Sequence, residues 1–203
     1  MTRDLPIIIE FTGLPNSGKT TLIYNLSKTL EESGLKVKIM QEDAELVPKE
    51  IPKKTWIRNV WITFGQLQSL LEIPYLKNYD VIFLDRGFYD AIFWAHFLYV
   101  QNICSKEQSD SLLKILEEID YSFNLRPDFL FVVNVSAKES IRRRLAMEGE
   151  KPVLTNLDFL NLYQDELNKF YSKVLSPILY LDTTNMNISE VCSSAYEKIK
   201  ELV

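Results

Sequence analysis

Histidine is nearly absent from the chain, cysteine is scarce and positive charge runs short, and each shortage removes a class of function. A single histidine, His96, excludes a His-rich metal cluster. The two cysteines, Cys104 and Cys192, lie far apart and match no metal-ligand or redox spacing, so they read as structural thiols in a reducing compartment. No apolar run is long enough to span a bilayer: the most apolar later stretch, Phe88 to Val100, is short and carries Asp90. The N-terminus enters a brief apolar run broken by Glu10 and lacks the small-residue cleavage site of a signal peptide, which points to a cytoplasmic protein. With 23 basic against 28 acidic residues the net charge is −5, which argues against a broad nucleic-acid surface and against an anionic membrane. Linkers rich in Gly, Ser or Pro and fixed-period repeats are also missing, so residues 1–203 are read as one domain.

What is present is an alternation of β-rich apolar runs with helical patterns, the sign of a mostly parallel sheet covered by helices. Strands are predicted at Leu5–Phe11, Lys36–Met40, Val81–Leu84, Phe129–Val135 and Ile178–Leu181, each as apolar as a strand covered on both faces. The first helix is predicted from Lys19 to Ser33, with Gly34 capping its end. The second places Trp56, Val60, Phe64, Leu67 and Leu71 on one face, read as a core stripe. Further helices are predicted at Phe88–Gln101, Lys106–Glu118, Ala137–Met147, Asn156–Tyr171 and Ile188–Leu202. Ser136 with Glu139, and Asn187 with Glu190, have the spacing of a capping box.

The sharpest signal is Gly13-Leu14-Pro15-Asn16-Ser17-Gly18-Lys19-Thr20, a complete phosphate-binding loop between the first strand and first helix. Gly13 and Gly18 let the backbone curl so that amides point inward, the helix start adds partial positive charge, and Lys19 reaches the terminal phosphates. Pro15, Asn16, Ser17 and Thr21 complete the nucleotide contact set, and Thr20 is the expected magnesium ligand. The third strand delivers Asp85 to the carboxyl edge of the sheet, where it would hold magnesium through water. Arg86 follows it and is placed either to contact an acceptor or to pair with Asp85 or Glu42 as structure.

With these residues in place, the chain resembles the P-loop nucleoside and nucleoside monophosphate kinases, particularly thymidylate kinases and deoxynucleoside kinases. The resemblance rests on the loop, on D-R-G-F-Y-D from Asp85 to Asp90, on S-A-K-E-S-I-R-R-R-L after the fourth strand, and on the N-L-D-F-L helix. It implies an α/β three-layer sandwich with a five-stranded parallel sheet, and an arginine-bearing lid at about residues 137–155. It puts the first lid arginine at Arg144, with Glu148 one turn later where relatives carry another arginine. If Ile141 and Leu145 face the sheet, Arg142 and Arg144 flank that face and Arg143 points to solvent. Arg142 is then read as a donor-nucleotide contact and Arg144 as catalytic.

For the acceptor, Glu42 or Asp43 after the second strand could be a general base, a ligand for a sugar hydroxyl, or exposed turn residues. Gln66 stands near the base-reading glutamine of these kinases, where a carboxamide offers a donor and an acceptor. Two departures, Thr12 before the loop and Pro15 within it, argue against strict thymidylate kinase activity. The resulting expectation is a kinase using ATP and Mg²⁺, with Lys19, Arg86, Arg144 and Glu42 as catalytic residues and a nucleoside, nucleotide or related small molecule as acceptor; a homodimer is left open. The rivals are a P-loop switch or regulatory ATPase without a small acceptor, adenylylsulfate kinase, and a kinase of nucleic-acid ends.

Overall fold

A computed structural model describes residues 5–41, 44, 46–146 and 155–203. Five strands, β1 (Ile7–Gly13), β2 (Val37–Met40), β3 (Val81–Asp85), β4 (Phe129–Asn134) and β5 (Ile178–Asp182), form one parallel sheet in the order β2-β3-β1-β4-β5. Around it lie α1 (Lys19–Glu32), α2 (Trp56–Glu72), α3 (Phe88–Val100), α4 (Lys106–Phe123), α5 (Ala137–Ala146), α6 (Leu157–Tyr171) and α7 (Ile188–Lys200). All the predicted strands and helices occur, with ends shifted by a few residues. β1 begins later and runs to Gly13, because Leu5 lies half exposed before the ladder. α4 continues past the predicted Glu118 to Phe123 and ends at Asn124, which adopts the left-handed conformation that stops a helix. Among the described residues no helix is long and apolar enough to cross a membrane.

The sheet separates two cores, and side-chain alternation along its strands assigns residues to each. Ile7, Ile9 and Phe11 of β1 pack with Val81 and Phe83 of β3 against α1 and α7. Ile82 and Leu84 of β3 with Leu130 and Val132 of β4 pack on the other face, against α2, α3, α4 and α6. The same alternation carries past the apolar residues. Asp85 continues the α1 side of β3, whereas Arg86, one step on, turns to the α3 and α6 side.

Two helix faces differ from expectation. In α2 the buried residues are Asn59, Thr63, Gln66, Leu67 and Leu70, while Phe64 of the predicted stripe is 48% exposed. Trp56, Val60 and Leu71 pack only at the core's edge, so a polar strip of α2 faces inward. In α5 the buried residues are Ala137 and Ser140, and Leu145 is 66% exposed. Ile141 packs at the core's edge as predicted, but Leu145 does not: the inward face runs along Ala137, Ser140 and Ile141, which turns Arg142 rather than Arg143 to solvent and leaves Arg144 half-buried. Of the predicted caps, Asn187 and Glu190 form a full capping box, and Ser105 with Gln108 forms another that the sequence reading passed over. Ser136 caps the Glu139 amide, but the Glu139 carboxylate turns instead to Arg142 and Arg143.

Candidate active site

The loop between β1 and α1 is shaped by backbone that few residues tolerate. Gly13 has φ +135°, and a Cβ there would sit 2.1 Å from the Val133 carbonyl oxygen of β4. Gly18 has φ +91° and Asn16 φ +58°, both in the left-handed region that Gly and Asn adopt most readily. The Lys19 ammonium folds back into the loop, donating to the carbonyls of Leu14 at 3.1 Å and Gly13 at 3.4 Å. At the start of α1 the Thr20 hydroxyl donates to Asp85 Oδ2 at 2.7 Å, joining the two predicted magnesium residues. The other Asp85 oxygen is buried without a hydrogen-bond partner among the described residues, which leaves an acceptor for a cation's water. These residues fit both a nucleotide triphosphate and Mg²⁺. Thr21 follows on the exposed side of α1.

On the opposite face of the sheet Arg86 is buried, held with φ +67°, and its amide donates to the Phe11 carbonyl. Its guanidinium donates to Asp90 Oδ1 at 2.8 Å and to the Tyr163 hydroxyl at 3.3 Å. Among the described residues the carboxylate it pairs with is Asp90, one turn along, and not Asp85; the other predicted partner, Glu42, lies outside them. Asp90 also accepts from the Thr12 hydroxyl at 3.0 Å, which ties the group to the residue before the loop. Beneath them Glu10 is completely buried and accepts from the amides of Asp90 at 2.8 Å and Tyr89 at 3.1 Å. Burial first, and the nearby Asp90 charge second, push its pKa up to about 8. Burial likewise raises the Tyr171 hydroxyl well above its ordinary value.

Arg86 and Asp90 form one wall of a cavity of about 340 Å³ between α2, α3 and the first turns of α6. Asn59 and Gln66 of α2 line it opposite, with Trp94 and Phe159 supplying apolar surface. The Asn59 amide nitrogen is buried there with no hydrogen-bond partner among the described residues. Arg58 at the cavity's edge donates to the carbonyls of Ala44 and Ile51 and so fixes the segment before α2. Gln66, predicted as a base-reading residue, is buried on α2 and lines this cavity. Glu42 and Asp43 lie outside the described residues, as do Glu148 and the rest of the lid stretch 147–154.

The arginines of α5 depart from prediction. Arg142 forms a two-pronged pair with Glu139, at 2.6 and 2.7 Å, on the exposed side, away from the role of nucleotide contact expected for it. Arg143, expected in solvent, turns inward to the carbonyls of Asn16 and Ser17, and Arg144 is half-buried on the same turn. The inward face of α5 along Ala137, Ser140 and Ile141 is the reason. The two Arg142 bonds first, and the Arg143 bond second, hold the Glu139 carboxyl down at about 2. Glu10, Asp90 and Arg143 were all missed as site residues. Only Asp90 carried a readable signal, its helical spacing of four from Arg86.

The parallel sheet with strand order 2-3-1-4-5, a phosphate loop after its central strand and an Asp-Arg step at the end of β3 define an α/β P-loop kinase-like fold. Solved structures of deoxyadenosine kinase from M. mycoides share it. The form with products dCMP and a flexible dCDP bound is 17% identical over 96% of this chain and 100% of that one, at a TM-score of 0.77. The dCTP-bound form is 16% identical at the same coverage and TM-score, and the dATP-bound form 17% identical at 0.70. In addition, a family model described as chromatin associated protein KTI12 matches residues 5–59, from β1 into the start of α2.

Proposed function

We propose that the protein is an ATP- and Mg²⁺-dependent phosphotransferase acting on a nucleoside, a nucleotide or a related small acceptor. The observation that carries the reading is the Asp85-Arg86 step: Asp85 meets Thr20 beneath the phosphate loop, and Arg86 opens onto the 340 Å³ cavity on the other side. The cavity has the size and the mixed apolar and polar lining of a small-molecule site.

ATP supplies the phosphoryl group, and Thr20 and Asp85 would hold Mg²⁺, which would neutralise phosphate charge there. Lys19 releases its loop carbonyls to bind the terminal phosphates. Gln66 and Asn59 read a polar heterocycle edge, and Trp94 and Phe159 exclude water, the competing acceptor. Arg86 orients the acceptor group toward the loop, steadied by Asp90 and Tyr163. Glu42 or Asp43, directly before Ala44 of the cavity lining, serves as base for a hydroxyl acceptor. Positioning and charge neutralisation carry most of the rate.

A screen of nucleosides, deoxynucleosides and monophosphates with labelled ATP and Mg²⁺ tests the reading, with transfer to one acceptor well above water as the expected result. The match of residues 5–59 to the KTI12 model favours a second reading, a regulatory ATPase. ATP hydrolysis without transfer to any acceptor in the screen would select it.

A further inference from the structure

We infer that Arg143, Ser140 and Thr183 are positioning residues that aim the phosphate-binding amides of the loop by holding its carbonyls from behind. The inference rests on the loop being a phosphate site. A trans peptide unit points its C=O and the next residue's N–H in opposite directions, and the chain has no cis peptide bond among the described residues. Fixing three consecutive carbonyls on the outer side therefore fixes the three following amides toward the inside.

All three carbonyls are held. The Ser140 hydroxyl donates to the Pro15 carbonyl at 2.8 Å. Arg143 Nη1 donates to the carbonyls of Asn16 and Ser17, both at 3.3 Å, and the Thr183 hydroxyl donates to Ser17 at 2.9 Å. The amides aimed inward are those of Asn16, Ser17 and Gly18. The Ser17 amide donates to the Leu14 carbonyl at 3.3 Å, the same oxygen that accepts from the Lys19 ammonium, so the Leu14 carbonyl stands on the inner side of the loop where a phosphate would take both donors.

The holding group is itself anchored. Arg143 also donates to the Thr183 side chain at 3.0 Å and to its carbonyl, so α5 is joined to the turn after β5. Glu139 accepts from Arg143 Nε at 2.9 Å and orients the guanidinium. Asn16, held at an unfavourable φ, is secured by its own side chain, which donates to the Ser140 carbonyl at 3.3 Å. The arrangement is a preorganised anion nest whose shape is set from outside. Because Arg143 directs its donors to carbonyls, the Thr183 hydroxyl and the neutralising Glu139 carboxylate, its part is geometric, whereas a phosphate-binding arginine acts by charge.

Titration of ADP with Mg²⁺ into wild type, Arg143→Ala, Arg143→Lys, Ser140→Ala and Thr183→Val tests this independently of whether any acceptor is phosphorylated. Ser140→Ala and Thr183→Val change no charge and little volume. Arg143→Ala is expected to weaken ADP binding roughly tenfold or more and the two neutral variants about threefold each, as loss of one hydrogen bond allows. Melting temperatures without nucleotide should stay within a few degrees of wild type. Arg143→Lys should recover only part of the loss, since an ammonium lacks the planar fork that spans two carbonyls.

Wild-type affinity in both neutral variants, with full rescue by lysine, would overturn the inference in favour of a charge effect. Should Arg143→Ala fail to fold, the neutral variants decide alone. Absence of ADP binding by wild type would overturn the phosphate-site reading and this inference with it.

Discussion

A carboxyl group in the middle of a central strand, fully shut from water, must show itself in how stability depends on pH. Glu10 keeps its proton up to a pH of about 8 in the folded chain, whereas its ordinary value is 4.5. Between those values the folded state binds more protons than the unfolded one, so this group makes stability fall as pH rises through that window and adds no slope outside it. The expected slope is at most about 1.4 kcal/mol per pH unit. Denaturant melts of wild type and Glu10→Gln from pH 5 to 9 should show it in the first and its loss in the second; parallel curves would mean that Glu10 is ionised. Lys19 gives a simpler expectation. Its ammonium donates to the loop carbonyls of Gly13 and Leu14, so Lys19→Ala should fold yet lose at least ~100-fold in turnover, on the order of 3 kcal/mol at the barrier. Contiguity made Lys19 legible in the sequence, as it did the whole run from Gly13 to Thr20. Glu10 looked like an interruption of an apolar strand, because nothing local tells that α3 will bring two amides to it.

Helices and strands differed in how much of their placement could be read. The strands were legible because a strand covered on both faces is apolar throughout, and a register error barely alters that pattern. A helix divides its residues between faces, and one residue of rotation is about 100°. That is why α2 turns Asn59 and Gln66 inward beside Leu67 of the predicted stripe while Phe64 is half exposed, and why Arg143 and Arg142 exchanged positions on α5. The inward polar strip of α2 has a measurable result. Gln66→Ala should raise the acceptor KM about tenfold with little effect on ATP, as loss of a hydrogen bond in a desolvated cavity implies. Phe64→Ala, on the half-exposed face, should change stability by no more than about 0.5 kcal/mol. A Phe64→Ala protein far less stable than wild type would put the aromatic stripe back in the core.

At the scale of the molecule, the site is assembled from pieces distant in the chain, and ligand binding should stabilise the whole. Thr12 meets Asp90, Thr20 meets Asp85, and Ser17 meets Thr183, so the loop is fastened to β3, α3 and the turn after β5 together. ATP with Mg²⁺ at a hundred times its Kd should add about 2.7 kcal/mol, a rise in Tm of about 5 to 10 °C. Lys19→Ala should show little of that rise, and an equal rise in the variant would place nucleotide binding elsewhere. The loop also grows from β1, the middle strand of the five, laddered to β3 from Ile7 through Phe11 and to β4 from Ile9 through Gly13. Such a strand cannot fray, so its amides should exchange with deuterium only when the entire chain opens, and last of all the strands. Heat would then have no gentle route to inactivation: loss of nucleotide binding and loss of the circular-dichroism signal should coincide at one temperature.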